Sequence, residues 1–287
     1  MSRIEIAVIG SGPGGISAAI TASVRNKRVT LFRMHGMSGK VSKAHLIRNY
    51  PGLPDISGED LAQALENHLR MMEVPVCDEQ VSAIYPMGDY FGIQTAANIY
   101  EADAVILATG VTQGKTLPGE ERLLGRGVSY CATCDAMLYR GKTVAVLGYN
   151  SESDAEVKFL SEVVGRVYYL PMGRKTALGE TEKIALLSGA PKAIVGEQRV
   201  AALEMQDASI PVDGVFVLRD AIAPDKLVSG LKMDGPHVEV NLQMETNLPG
   251  CFACGDVTGK PYQYIKAAGQ GNVAALSAVG YLASKKS

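Results

Sequence analysis

No apolar run in this 287-residue chain is long enough to cross a bilayer. The opening residues, MSRIEIAVIGSGPGG, enter a strand and a turn within ten positions and carry Glu5 inside the apolar run. They are expected to be neither a signal peptide nor a membrane anchor. Low-complexity tracts are missing too. Cysteine is scarce: there are five, four of them in two C-x-x-C pairs. That usage fits reactive or ligand thiols in a reducing cytosol better than a framework of structural disulfides, so a cytoplasmic protein is expected. The four histidines, His35, His45, His68 and His237, form no ligand spacing, and no Ser–His–acid grouping stands out. Acids are absent from one long stretch. Between Ile6 and Pro54 there is no Asp or Glu, but there are seven cations: Arg25, Lys27, Arg28, Arg33, Lys40, Lys43 and Arg48. The rest of the chain holds the other 21 basic residues and all 30 acidic ones, so the net charge of −2 hides an asymmetry. The stretch is either a solvated face of a phosphate-binding domain or a docking surface for an acidic partner.

Hydrophobic residues make up 47% of the chain and charged residues 20%, which predicts a packed globular protein long enough for two domains. The segment IEIAVIGSGPGGISAAITASV reads as strand, glycine turn and helix, with the strand at 4–9 and the helix running from Ile16 to about Val24. Gly10, Gly12 and Gly15 match G-x-G-x-x-G, and RVTLFR (28–33) supplies the next strand. The first glycine permits the tight turn, the second lets backbone N–H groups approach a pyrophosphate, and the third lets helix and strand pack closely. The second strand ends at Phe32-Arg33 without the acid that would take a ribose hydroxyl. Two later strands, EADAVILATG (101–110) and GCFACGDVTG (250–259), end in Thr109-Gly110 and Gly255-Asp256. Glycines there allow close backbone approach, and the acid can bond a sugar-like chain.

The pieces GSGPGG, RNYPG (48–52), ILATG (106–110), GRGVSYCATCD (125–135), ACGDV (253–257) and AAGQGNVAALSAVGYL (267–282) together resemble the low-molecular-weight thioredoxin reductases. These are flavoproteins of the pyridine nucleotide–disulfide oxidoreductase group. The resemblance implies an α/β protein of two Rossmann-like, doubly wound domains, with a FAD domain at 1–113 and 229–287 split around an insert at 114–228. It implies that FAD lies along Gly10, Ser11, Gly12, Pro13, Gly14, Gly15, Lys40, Asn49, the backbone near Val81, Ala108, Thr109, Gly110, Gly255, Asp256, Tyr264 and Ile265. Where the family usually carries Arg-Gln, this chain reads Gln263-Tyr264, an aromatic that would cover the flavin ring and block a nicotinamide. A homodimer is also implied.

CATCD sets Cys131 and Cys134 at the opening of a helix, on one face. A helix N-terminus and the C-x-x-C spacing both favour the thiolate, so one sulfur can attack an external disulfide while the other resolves the mixed disulfide. Asp135 is either a helix-capping acid or, as the family suggests, the acid that protonates the departing thiolate. Zinc is not expected. Cys134 and Cys251 are 117 positions apart, and Cys251 and Cys254 lie on a strand where residues three apart face opposite sides. Both read as small core residues beside FAD, and Cys77 as a buried spectator.

KTVAVLGYNSESDAEV repeats the opening unit, Gly148 aligning with Gly10. In the related reductases this second unit holds NADPH. Here Asn150 replaces the second glycine, its side chain expected to project into the pyrophosphate space, and Ser153 replaces the third. Glu152, Asp154 and Glu156 crowd the first helical turn, capping it and opposing an anion. RVYYLPMGRK (166–175) lacks the family's His-Arg-Arg cluster and offers only Arg174-Lys175, while GVFVLRDAIAPDKL (214–227) loses the glycine that usually follows its strand. The chain most resembles the subset of these flavoproteins that takes electrons from ferredoxin. The implied route runs from ferredoxin through FAD and Cys131–Cys134 to thioredoxin, with ferredoxin docking at the basic region 25–48. An NAD(P)H-dependent reductase using Arg174-Lys175 and a non-enzymatic flavin redox sensor are the competing readings.

Overall fold

The computed structural model describes residues 3–34, 39–42, 44–111, 116–130, 132–150, 152–219 and 222–285, with Lys40 and Cys134 described by backbone alone. The chain divides into two compact units, residues 1–112 with 221–287, and residues 113–220.

The first unit opens with β1 (Ile4–Ile9), α1 (Pro13–Val24), β2 (Val29–Phe32), α2 (Gly39–Ser42), α3 (Gly58–Met71) and β3 (Val76–Cys77). It continues through β4 (Val81–Pro86), β5 (Phe91–Thr95) and the long β6 (Ile99–Leu107). Strands β1, β2 and β3 pair in parallel, and β1 pairs in parallel with β6. Five of the six residues of β1 are buried, as a strand covered on both faces requires. The early half of β6 continues the sheet into the antiparallel β5 and β4. Its later half, Val105–Leu107, is joined in parallel by a strand from the C-terminal segment.

The second unit holds β7 (Val128–Ser129), α4 (Ala132–Asp135), β8 (Thr143–Gly148), α5 (Ser153–Val163), β9 (Arg166–Leu170) and β10 (Ile184–Leu186). A small antiparallel sheet follows, β11 (Pro191–Val195), β12 (Ala202–Met205) and β13 (Ser209–Pro211), and then β14 (Gly214–Leu218). The parallel sheet has the order β10-β9-β8-β14-β7. Its switch point, where strands run off to opposite sides, lies between β8 and β14.

The chain returns to the first unit through α6 (Pro224–Leu227), β15 (Met233–Asp234), β16 (His237–Val238), β17 (Cys251–Ala253) and α7 (Tyr264–Ser284). Here β17 is the strand that joins β6. Residues 224–228, assigned by sequence to the insert, pack in the first unit, where Val228 bridges Ile84 of β4. Helix α7 lies against α1 at very short range. A Cβ on Gly271 would stand 2.0 Å from the Gly14 carbonyl oxygen, so the crossing admits only glycine there.

One sequence expectation needs correction. The strand ending in GCFACGDVTG covers only Cys251–Ala253 and gives way to a 3-10 helix at Gly255–Thr258. The acid-free stretch is not free of acids in space. Lys27 and Arg28 face Glu5 at 3.6 and 4.0 Å, Arg33 pairs with Glu66 at 2.8 Å and Asp78 at 2.7 Å, and Arg48 pairs with Asp55 at 3.1 Å. The side chains of Lys40 and Lys43 lie outside the described residues.

Candidate flavin and dithiol sites

At the carboxyl ends of β1 and β6 the first unit gathers most of the residues expected to hold a dinucleotide. Gly10 has φ +114°, and a Cβ there would stand 2.4 Å from the Ala108 carbonyl oxygen. The turn therefore needs glycine both for its backbone and for its approach to β6. A Cβ on Gly15 would meet the Gly10 carbonyl oxygen at 1.9 Å, which is the close packing that the third glycine allows. Gly12 is the opposite case. It caps α1 with no side-chain bond, Pro13 occupies the first turn, and nothing lies within 4 Å of its Cβ position. An N-terminus with no acid in its first turn thus opens onto free space, as a pyrophosphate seat requires. The Thr109 hydroxyl, next to Ala108, is buried and has no hydrogen-bond partner among the described residues. A buried hydroxyl left so is costly, and a ligand atom would satisfy it. The residues fit a flavin dinucleotide.

The remaining expected contacts fall into two groups. Gly255 (φ +82°) lies beside the start of α7, 3.4 Å separating its Cβ position from the Ala267 Cβ, and a Cβ on Gly14 would meet the Ala267 carbonyl oxygen at 3.1 Å. The glycine turn, the Gly255–Asp256 turn and the first turn of α7 therefore converge. Asn49 joins them, its amide donating to the Gln263 side-chain oxygen. Tyr264 departs from expectation. Its half-buried side chain packs on the cluster of Val41, Ile47 and Leu61, and burial pushes its phenol up. Ile265 is exposed. Val81 opens β4 on the far side of the sheet from β1, paired with Thr95. Gly110 follows Thr109 with φ +70° and Ser11 is buried in the glycine turn.

Sequence reasoning missed Lys266. Its ammonium donates to the carbonyls of Gly255 and Gly259, each at 2.8 Å, and reaches the Thr258 hydroxyl at 3.4 Å. Burial lowers this ammonium, and Asp256 and Cys254 oppose the effect. Gln270, one turn along α7, accepts from Gly255 N and from the Thr258 hydroxyl, each at 3.0 Å. Cys251 and Cys254 are fully buried, and burial pushes both thiols up to about 12. Cys77 is only half-buried, and its thiol donates to Tyr100 Oη at 3.5 Å.

In the second unit Cys131 lies outside the described residues, as does the side chain of Cys134. The backbone around them makes a single α turn, Ala132–Asp135, and then a 3-10 helix at Ala136–Tyr139. Ala132 and Ala136 are buried in the core of this unit. The next residues, Met137 and Leu138, are 57% and 68% exposed. Asp135 is half-buried and makes no side-chain cap to the 3-10 helix.

The second glycine turn is closed, though by a different route from the expected one. The Asn150 side chain does not project outward. It is buried, accepting from the Ser153 hydroxyl at 2.7 Å and donating to the Arg219 carbonyl at 3.3 Å. Arg219 stands where the family's glycine was expected. It is 7% exposed, and it pairs through both terminal nitrogens with Glu120, which is 0% exposed. Glu120 also accepts from Tyr130 Oη at 3.1 Å and from Leu117 N at 2.9 Å. The Arg219 guanidinium lies 4.8 Å from the Tyr149 ring centroid. These residues follow directly on the carboxyl ends of β8 and β14, the place where a dinucleotide would enter. Arg174 is spent as well, donating to the Asn150 carbonyl. Asp154, in the first turn of α5, accepts from Tyr169 Oη at 2.7 Å and from Thr176 Oγ1 and Ala177 N at 2.9 Å each. Burial alone would raise this carboxyl, but those bonds outweigh it and hold it below the usual range. They also tie the segment after β9 across the start of the helix.

This chain is similar, over 100% of its length and 99% of the other's, to the crystal structure of a ferredoxin-flavin thioredoxin reductase from Clostridium acetobutylicum, with 48% identity and a TM-score of 0.94. A second such structure from the same organism shares 45% identity and a TM-score of 0.88, covering 98% of this chain and 99% of that one. The thioredoxin reductase of Aquifex aeolicus is 31% identical, covering 98% of this chain and 94% of its own. The family model for pyridine nucleotide-disulphide oxidoreductases matches residues 4–149 and 179–271. On this match and these relatives, the chain belongs to the pyridine nucleotide-disulphide oxidoreductase family.

Proposed function

We propose that the protein is a FAD-dependent thioredoxin reductase that takes its electrons from reduced ferredoxin. The observation that carries this reading is the contrast between the two crevices. The first is lined by Gly10, Gly12 and the unsatisfied Thr109 hydroxyl, while the second is filled by the buried Arg219–Glu120 pair. A nicotinamide dinucleotide entering the second would have to separate two desolvated charges, which costs several kcal/mol, roughly 3–5. The likeness to the clostridial ferredoxin-flavin enzymes supports the same donor.

Bound FAD would supply the exchange between single electrons and the pair that a disulfide needs. The chain's own residues do the rest. The Gly10–Gly15 turn and the N-terminus of α1 would hold the pyrophosphate, and Thr109 and Asp256 would orient the remainder. Cys131 and Cys134 form the dithiol. One thiolate attacks the thioredoxin disulfide, the other displaces the reduced thioredoxin, and the pair is left as a disulfide to be reduced again. Asp135 stands next in sequence to receive or return the proton. Met137 and Leu138, three and four residues after Cys134 in sequence, are an exposed apolar pair suited to a protein substrate. The energetics agree. A ferredoxin near −400 mV and a thioredoxin near −270 mV differ by about 6 kcal/mol for two electrons.

A homodimer is part of the proposal. Ile265, Val273 and Leu276 lie exposed on one uncharged stripe of α7, which a second copy would cover. For the acidic donor, the cations left most open in the 25–48 region are Arg25, Arg28 and Arg48, the last two also paired to acids.

The test is anaerobic turnover with thioredoxin disulfide. Reduced ferredoxin is expected to sustain it and NADPH is not. Rapid thioredoxin reduction by NADPH at ordinary concentrations refutes the donor.

A further inference from the structure

Lys266 breaks two rules at once. It puts a cation in the first turn of a 21-residue helix, the end where the helix dipole favours anions, and α7 has no acid in that turn to balance it. Its half-buried ammonium is also held among main-chain carbonyls. Such a group persists when something nearby needs its charge or its grip. The three acceptors it uses are the Gly255 and Gly259 carbonyls and the Thr258 hydroxyl. Together they fix the turn that carries Asp256. The adjoining residue, Ala267, is the one whose carbonyl lies 3.1 Å from the Gly14 Cβ position and whose Cβ lies 3.4 Å from that of Gly255. Lys266 therefore sits where the glycine turn, the Gly255–Gly259 turn and the start of α7 meet. A dinucleotide in this crevice brings two phosphate charges, and Asp256 adds a third negative group at its rim. Arginine and lysine side chains of the glycine turn itself are missing, since residues 10–15 are uncharged.

We propose that Lys266 is a positioning residue of the flavin site: it pins the Gly255–Gly259 turn beside the glycine turn and supplies the positive charge that offsets the bound cofactor's anions. The proposal rests on the reading that this crevice takes FAD. A cation here favours the more negative, reduced cofactor over the oxidised one. Removing the charge is therefore expected to weaken FAD binding and to lower its midpoint potential, while removing only the grip affects binding alone.

Two substitutions isolate the charge. Lys266→Gln keeps donors for the carbonyls and loses the charge, whereas Lys266→Arg keeps the charge. The full-length protein is stripped of flavin and reconstituted. FAD affinity is then read from quenching of flavin fluorescence, and the midpoint potential from equilibration with a dye couple. K266Q is expected to bind FAD about tenfold more weakly and to show a potential about 30 mV lower, a further tenfold loss of preference for the reduced form. K266R is expected to match the wild type within about twofold, and this arm stands alone if K266Q does not fold. Wild-type potential in K266Q, or a K266R protein that loses flavin like K266Q, overturns the role of the charge. A wild-type chain that binds no FAD refutes the flavin reading itself, which is a separate result.

Discussion

At the scale of the residue, buried polar groups do different jobs. The Glu120–Arg219 pair is buried, and Glu120 is further satisfied by Tyr130 Oη and Leu117 N. Glu120→Gln or Arg219→Met leaves one charge unmatched, and each is expected to cost roughly 3–5 kcal/mol in urea unfolding. The double variant with apolar residues should recover much of that loss. The buried thiols Cys251 and Cys254 titrate far above an unfolded cysteine, at about 12 against about 8.5. As pH rises past about 8.5, the unfolded chain releases these protons first and the folded one keeps them. Stability is thus expected to be flat with pH below that point and to fall between about 8.5 and 12, by roughly 1 kcal/mol per pH unit for each thiol. Cys251→Ala with Cys254→Ala should flatten the fall in denaturant titrations. Cys131 and Cys134 are the proposed redox pair. Cys134→Ser is expected to abolish disulfide turnover while bound flavin still accepts electrons from ferredoxin, which stopped-flow absorbance and steady-state assays distinguish.

At the scale of the element, the same strand–turn–helix occurs twice with opposite outcomes. After β1 the turn is glycine, open at Gly12, with Thr109 on the neighbouring strand end. After β8 the turn is Tyr149-Asn150, and the neighbouring strand end is Arg219. Because closure rests on Arg219 and Glu120 as well as on Asn150, Asn150→Gly alone is expected to leave NADPH unable to reduce the flavin. NADPH-dependent bleaching in that variant would locate the whole block at one residue. Much of this was legible in the sequence. Glycine spacing named the first turn, and the loss of glycine at Asn150 and after β14 marked the second as altered. The direction of the Asn150 side chain was not legible, because Ser153 and the Arg219 carbonyl that draw it inward are set by folding and not by local pattern. Glu120 and Arg219 are 99 positions apart, and neither belongs to a motif that spacing rules detect. Lys266 was hidden for a similar reason: its partners are main-chain carbonyls, which no sequence displays. The partners of the acid-free stretch were hidden in the same way, since Glu66 and Asp78 come from outside it to neutralise Arg33.

At the scale of the whole molecule, the two units divide the work. Residues 1–112 with 221–287 carry the open crevice proposed for FAD, and residues 113–220 carry the proposed dithiol on a second unit whose crevice is filled by the Arg219–Glu120 pair. A second copy is expected on the outer stripe of α7, so Leu276→Glu should convert a dimer to a monomer in light scattering while leaving FAD bound. An unchanged dimer would assign the interface elsewhere. The central claim is that electrons enter without a nicotinamide. The most direct measurement is the visible absorbance of the bound flavin under argon, with reduced ferredoxin added to one cuvette and NADPH to the other. Prompt bleaching by ferredoxin and an unchanged spectrum with NADPH are expected. Prompt bleaching by NADPH, with ferredoxin inert, would contradict the claim.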